Sequence, residues 1–208
     1  MGINVTFISD LHTKQEQWWG RMFDRGLLTD YDQCDILAFC GDMSGRGSKY
    51  EVEEFMKWFV DQPGTFKVFI PGNHDFYFEE KNREEVIEEL NLPDNVYYLN
   101  DSGVDIMGLK FWGSPITPYF RDWAFNRIGT SILDHWDLIP ADTDVLLTHG
   151  PPKKIMDLVA LQYRKPEDMG DFNKGCPYLI DKVKEIEPVV HAFGHIHEGY
   201  GMRDTNRE

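Results

Sequence analysis

The run Lys67-Val68-Phe69-Ile70 stops at Pro71-Gly72 and is followed at once by Asn73-His74-Asp75. A short apolar run closed by Pro-Gly reads as a buried strand ending abruptly. Gly72 lets the backbone turn without a Cβ clash, so the side chains after it can converge on one point. In open α/β sheets that point is the crevice beyond the strand carboxyl ends, where ligands bind. A polar loop after a strand would look the same in isolation. The pattern carries weight because it recurs.

Ile3 to Ser9 reads as a first strand and runs into Asp10-Leu11-His12. On an extended chain residues i and i+2 point to one side, so Asp10 and His12 can share a metal while Leu11 faces the core. Ile36 to Cys40 is a second strand, and Gly41-Asp42 follows it. Asp144 to Leu147 delivers Thr148-His149-Gly150-Pro151-Pro152. Val189 to Phe193 delivers Gly194-His195-Ile196-His197, whose spacing again puts two imidazoles on one side. Any one of these is weak, since most isolated D-x-H pairs are plain surface residues. Five strand ends carrying Asp10/His12, Asp42, Asn73/His74, His149 and His195/His197 are a different matter.

The intervening text supports a sheet covered by helices. Ser48-Lys49-Tyr50-Glu51 fits a capping box ahead of an amphipathic helix to about Val60, with Val52, Phe55, Met56 and Phe59 inward. A charged helix is expected around Arg83 to Leu90, and an amphipathic one from Cys176 to Glu185. Strand, helix and strand in alternation imply parallel pairing. The pieces Val96–Leu99, Val104–Met107 and Leu109–Trp112 read instead as hairpin strands of an antiparallel region. Residues 13–33, with Trp18 and Trp19, form an irregular or partly helical excursion. That segment and the Tyr119 to Phe125 loop are where substrate choice is expected to lie.

Seven candidate ligands (Asp10, His12, Asp42, Asn73, His149, His195 and His197) exceed the three or four that one zinc ion needs. They suffice for two ions if one carboxylate bridges, and two-metal sites clamp both oxygens of an in-line phosphoryl displacement. A mixed N/O set suits Mn, Fe, Zn or Co better than Mg or Ca. The net charge of −15 argues against a long nucleic-acid groove. Two divalent ions facing two carboxylates would still leave the pocket itself cationic. Cys34, Cys40 and Cys176 lack CxxC spacing, so no disulfide framework or thiolate zinc site is expected. The 208 residues suit one domain, 1–208. No signal peptide or membrane-spanning run is visible, which makes the cytosol the expected compartment.

The blocks D-x-H, GD, GNHD, a strand-ending His and GHxH, in this order over residues 10 to 197, resemble those of the calcineurin-like metallophosphoesterases. The wording between blocks (FISD, WAFN, WDLIP, THGPP, HEGYG) resembles the metallophosphoesterase-domain-containing branch of that family. The resemblance implies an α/β fold, a two-sheet αββα sandwich with mixed sheets and the metals at the strand ends. It implies a first metal on Asp10, His12, Asp42 and His197, with Asp42 bridging to a second on Asn73, His149 and His195. A metal-bridging hydroxide would attack phosphorus in line, and His74 would stabilise or protonate the leaving oxygen, with Asp75 as a neighbour orienting it. The branch's substrates are phosphodiesters, including cyclic nucleotides, so the expected partner is a small phosphate ester. Phosphomonoesterase or nuclease activity at the same centre, or a metal-binding scaffold with little turnover, are the alternatives.

Two positions depart from the wider family. Protein phosphatases carry Asp in their GDxxDRG block where this chain has Gly45, although Arg46 is kept as a candidate phosphate contact. Relatives also continue past GHxH with further strands, whereas eleven residues follow His197 here, so the expectation is an incomplete second sheet, a shortened version of the domain, or a chain that needs a partner.

Overall fold

The computed structural model describes residues 2–17, 33–164 and 170–204. Two four-stranded sheets face each other. The first is parallel throughout, in the order β1 (Val5–Ile8), β2 (Ile36–Cys40), β3 (Phe66–Ile70), β4 (Val96–Tyr98). The second runs β10 (Val190–Phe193), β9 (Val145–Thr148), β6 (Leu109–Ser114), β5 (Ser102–Ile106). It is mixed, because β10, β9 and β6 are parallel while β5 and β6 form an antiparallel hairpin. A small third sheet pairs β7 (Thr117–Pro118) with β8 (Asn126–Arg127).

Period-two alternation on β2 explains the layering. Ile36, Ala38 and Cys40 join Val68, Ile70, Phe111, Val145 and Leu147 in the core between the sheets. Leu37 and Phe39 point the other way, into a cluster with Val52, Phe55, Met56 and Phe59. Those four come from α1 (Lys49–Asp61), where they recur at helical spacing and are fully or nearly fully buried. Each such Phe contributes on the order of 1.5–3 kcal/mol by leaving water. The Ser48/Glu51 capping box is present, with Glu51 N–H donating to Ser48 Oγ at 3.3 Å and Ser48 N–H to the Glu51 carboxylate at 3.0 Å.

The expected two-sheet α/β architecture is found, with one change of partner. Val96–Tyr98 is not part of a hairpin: it is the fourth strand of the first sheet, in parallel register with β3 through Lys67↔Val96 and Phe69↔Tyr98. The 25 residues from 71 to 95 hold α2 (Phe76–Glu79) and α3 (Arg83–Leu90), which is room enough for a parallel crossover. Sequence alternation could not distinguish these partners, because the true hairpin strand β5 starts only four residues after β4 ends. On the second sheet Leu146 of β9 points outward, into the cluster that includes Trp136 of α4 (Leu133–Trp136) and Leu179 and Ile186 of α5 (Leu179–Ile186). Among the described residues no helix is long and apolar enough to cross a membrane.

Candidate metal centre

All five motif-bearing strands end on the same rim of the sandwich. β1, β2 and β3 of the first sheet bring Asp10, His12, Asp42, Asn73 and His74; β9 and β10 of the second bring His149, His195 and His197. The loops are tied to one another across the rim. Asp10 N–H donates to the Gly41 carbonyl at 2.9 Å and His12 N–H to the Asp42 carbonyl at 3.0 Å. His195 N–H donates to both Asp10 carboxylate oxygens at 3.0 and 3.1 Å, and His74 N–H to Asp42 Oδ1 at 2.9 Å.

This convergence needs unusual backbone. Asp10 (φ 56°), His12 (φ 46°), Asp42 (φ 61°) and His195 (φ 69°) all sit in the left-handed region that non-glycine residues rarely occupy. Such strain persists only where the surroundings impose it, and it concentrates at functional sites. Two glycines make the close approach feasible. A Cβ on Gly72 would run into Asp42 Oδ1, and one on Gly194 into Asp10 Oδ2.

The side chains fall into two groups that meet at Asp42. Asp10, His12 and His197 have ligand-type atoms within 4.8 Å of one another, and so do Asp42, His149 and His195. His12, Asp42 and His74 form a third such set between them. Asp42 Oδ1 lies 3.3 Å from His149 Nε2, while its Oδ2 lies 3.7 Å from His12 Nε2. Asn73 Oδ1 joins the His149 side at 2.9 Å. Every ligand candidate read from the sequence is thus brought to one place.

Imidazole orientation is set by backbone carbonyls. His12 Nδ1 lies 3.3 Å from the Ser44 carbonyl, His74 Nδ1 2.8 Å from that of Gly45, and His149 Nδ1 2.9 Å from that of Cys40. A carbonyl only accepts, so each Nδ1 carries the proton and each Nε2 is left for the centre. Metal-binding histidines are held in this way. At His149, Nε2 faces Asn73 Oδ1 and Asp42 Oδ1, both acceptors, so this position takes either a proton on Nε2 or a cation in its place. The donor set therefore fits divalent ions, with imidazole nitrogens and carboxylate oxygens in the mixture that transition metals favour.

Electrostatics agree. Burial pushes the Asp42 carboxyl upward, but His149, His74 and His12 outweigh it and hold it well below the usual carboxylate range. His149 is moved the other way: burial opposes its charge, and Asp42 and Asp10 raise it to about 9. Burial depresses His195 to about 4, and nearby His149 adds to that. His197, hydrogen-bonded to Asp10, is raised. In the metal-free chain protons thus do part of the work that a cation would do.

Three structural roles depart from expectation or were not foreseen. Asp75 does not orient His74. Its fully buried carboxylate accepts from the N–H groups of Gly72 (2.7 Å), Asp42 (3.0 Å), Met43 (3.3 Å) and Ser44 (2.9 Å), and from Ser44 Oγ (2.6 Å). It braces the loop that carries Asp42. The task of fixing His74 falls to the Gly45 carbonyl, at the very position where protein phosphatases would carry Asp. Trp123 stacks on the His74 ring, centroids 4.0 Å apart and planes at 29°. A carbonyl has no sequence signature, and Trp123 is 49 residues from His74, so neither was legible beforehand. Arg46 is exposed, one residue beyond that carbonyl. Trp18 and Trp19 lie outside the described residues.

Comparison with known proteins agrees with this geometry. The family model described as calcineurin-like phosphoesterase matches residues 3–199. Metallophosphoesterase domain-containing protein 1 of Homo sapiens is 33% identical, over 81% of this chain and 56% of its own length. A UPF0046 protein of Caenorhabditis elegans is 34% identical, over 88% of this chain and 50% of its own length. The chain therefore spans about half the length of these curated relatives. Among solved structures, TT1561 of Thermus thermophilus shares the fold, with a TM-score of 0.59 at 16% identity, covering 92% of this chain and 81% of that one. The chain belongs to the calcineurin-like phosphoesterase family.

Proposed function

We propose that the chain is a dinuclear metal-dependent phosphoesterase acting on small phosphodiesters, cyclic nucleotides among them. The observation that carries this reading is Asp42, whose two carboxylate oxygens face separate groups of imidazoles. Asp10, His12, Asp42 and His197 would hold one ion, and Asp42, Asn73, His149 and His195 the other, with Mn, Fe or Zn suited to such donors. Bound there, two divalent ions supply Lewis-acid stabilisation of charge building on a phosphoryl group, and they acidify water.

The chain's own groups do the rest. The fixed carbonyl contacts aim the Nε2 atoms of His12, His74 and His149 before substrate arrives, so little reorganisation is needed at the moment of reaction. His74 is not required as a ligand, and its Nε2 stands 4.0 Å from Asp42 Oδ2. With Nδ1–H anchored on Gly45, it can deliver a proton only from Nε2, which makes it the donor to the departing ester oxygen.

The test is hydrolysis of bis-p-nitrophenyl phosphate against p-nitrophenyl phosphate by the metal-stripped chain, before and after Mn²⁺ is added, with His74→Ala alongside. Metal-dependent turnover that favours the diester is expected, with His74→Ala lowering hydrolysis of an unactivated diester such as diphenyl phosphate about 100-fold or more. Preference for the monoester would make the chain a phosphatase. Metal uptake with neither substrate turned over would leave a metal-binding scaffold.

A further inference from the structure

We propose that Trp123 is a positioning residue for His74, an inference that rests on the reading of His74 as the proton donor. The His74 ring is held from three directions. The Gly45 carbonyl accepts from Nδ1 at 2.8 Å, the His12 ring meets it edge-on at 4.7 Å and 75°, and Trp123 covers one face at 4.0 Å. Of these, His12 belongs to the metal-binding set and Gly45 contributes backbone. Trp123 is the dedicated side chain of the three.

The loop carrying Trp123 is fastened to the segment carrying His74. Ala124 N–H donates to the Asn73 carbonyl at 3.1 Å, immediately before His74. Phe125 N–H donates to Glu79 Oε1 at 2.7 Å, at the far end of α2. Ala124 and Phe125 are themselves buried, and Phe76 lies 6.1 Å from the Trp123 ring. The backbone next to Trp123 is therefore pinned to both ends of the 73–79 segment, which sets the indole over the imidazole it covers. A single hydrogen bond at Nδ1 leaves the ring free to rock about the N···O axis. A flat partner on one face removes that freedom, and the His74 side chain, still 26% exposed, depends on it. Nε2 is thereby aimed at the centre.

A proton donor misplaced by an ångström loses much of its effect. Trp123→Ala is therefore expected to lower kcat about 10- to 100-fold with KM little changed, and Trp123→Phe, which keeps a flat face, to recover most of the loss. The loss should be larger for an unactivated diester such as diphenyl phosphate than for bis-p-nitrophenyl phosphate, whose leaving group departs without a proton. Two readouts separate positioning from general damage. In the double variant Trp123→Ala/His74→Ala, activity should match that of His74→Ala alone. In proton NMR spectra of the metal-free chain, the His74 ring signals should be shifted upfield by the stacked indole and return to ordinary positions in Trp123→Ala.

Full activity in Trp123→Ala beside a collapsed His74→Ala would overturn the positioning role alone. Additive losses in the double variant, or a rise in KM without a fall in kcat, would overturn it in favour of direct substrate contact. Full activity in His74→Ala would overturn the proton-donor reading on which it rests.

Discussion

His149 Nε2 stands 2.9 Å from Asn73 Oδ1, while the other ring nitrogen of His149 is spent on the Cys40 carbonyl at 2.9 Å. A protonated His149 donates from Nε2 to the Asn73 oxygen, and a metal ion would take that proton's place. The pair comes from different sheets, Asn73 after β3 and His149 after β9, so the fold itself holds the contact in place. The site is thus formed in advance of its ions.

Asn73→Ala removes one side of this contact. It is expected to weaken the ion on the His149 side by at least about tenfold while leaving the Asp10/His12/His197 side intact. Isothermal titration calorimetry with Mn²⁺ checks this, and equal weakening of both ions would contradict it.

Gly72→Ala places a methyl group against Asp42 Oδ1, the Asp42 backbone nitrogen (2.5 Å) and His149 Cε1 (2.6 Å). None of these is the free end of a flexible side chain. The variant is expected to lose about 1–3 kcal/mol of stability and most of its metal affinity. Urea denaturation and metal analysis of the purified variant provide the check. An unchanged variant would show that the rim has room to give.

Asp75→Ala strips four hydrogen bonds from the loop after β2 and one from Gly72 after β3, and leaves buried donors on Asp42, Met43, Ser44 and Gly72 without acceptors. A loss on the order of 3 kcal/mol is expected, larger than that for His74→Ala, whose ring is partly exposed. If the two variants melted alike, Asp75 would not be the brace of this loop.

These residues mark the boundary of what was legible in the chain. The strands could be read from apolar runs and most of their ends from Gly and Pro, so the placing of Asp10, His12, Asp42, Asn73, His149, His195 and His197 on one rim was legible from position. α1 was legible to within a residue because Ser48/Glu51 and the Val52–Phe59 spacing are local signals. The partner of β4 was not legible, since pairing depends on contacts 29 residues away (Lys67↔Val96). Asp75 looked like a companion of His74 because it is the next residue. Most of its true partners lie about 30 residues earlier, and only the parallel register of β2 and β3 brings them within reach.

His191 provides a test of pH dependence away from the ligands. Its Nε2 lies 2.8 Å from Thr148 Oγ1, and burial alone depresses its pKa from 6.5 to about 3. The unfolded chain takes up this proton near pH 6.5 and the folded chain does not. Stability is therefore full above that value and falls as the pH drops towards 3. At about pH 5 the contribution is a loss of up to about 2 kcal/mol. His191→Gln should flatten the fall in urea midpoint between about pH 7 and about pH 5 by that amount, and an identical slope in the two proteins would contradict it.

A centre for two ions sharing Asp42 is the central claim, and calorimetric titration of the metal-stripped full chain with Mn²⁺ tests it most directly. Two equivalents should bind, reduced to one or none in Asp42→Asn with the fold retained by circular dichroism. A single equivalent in the unaltered chain, or two equivalents retained in Asp42→Asn, would contradict it.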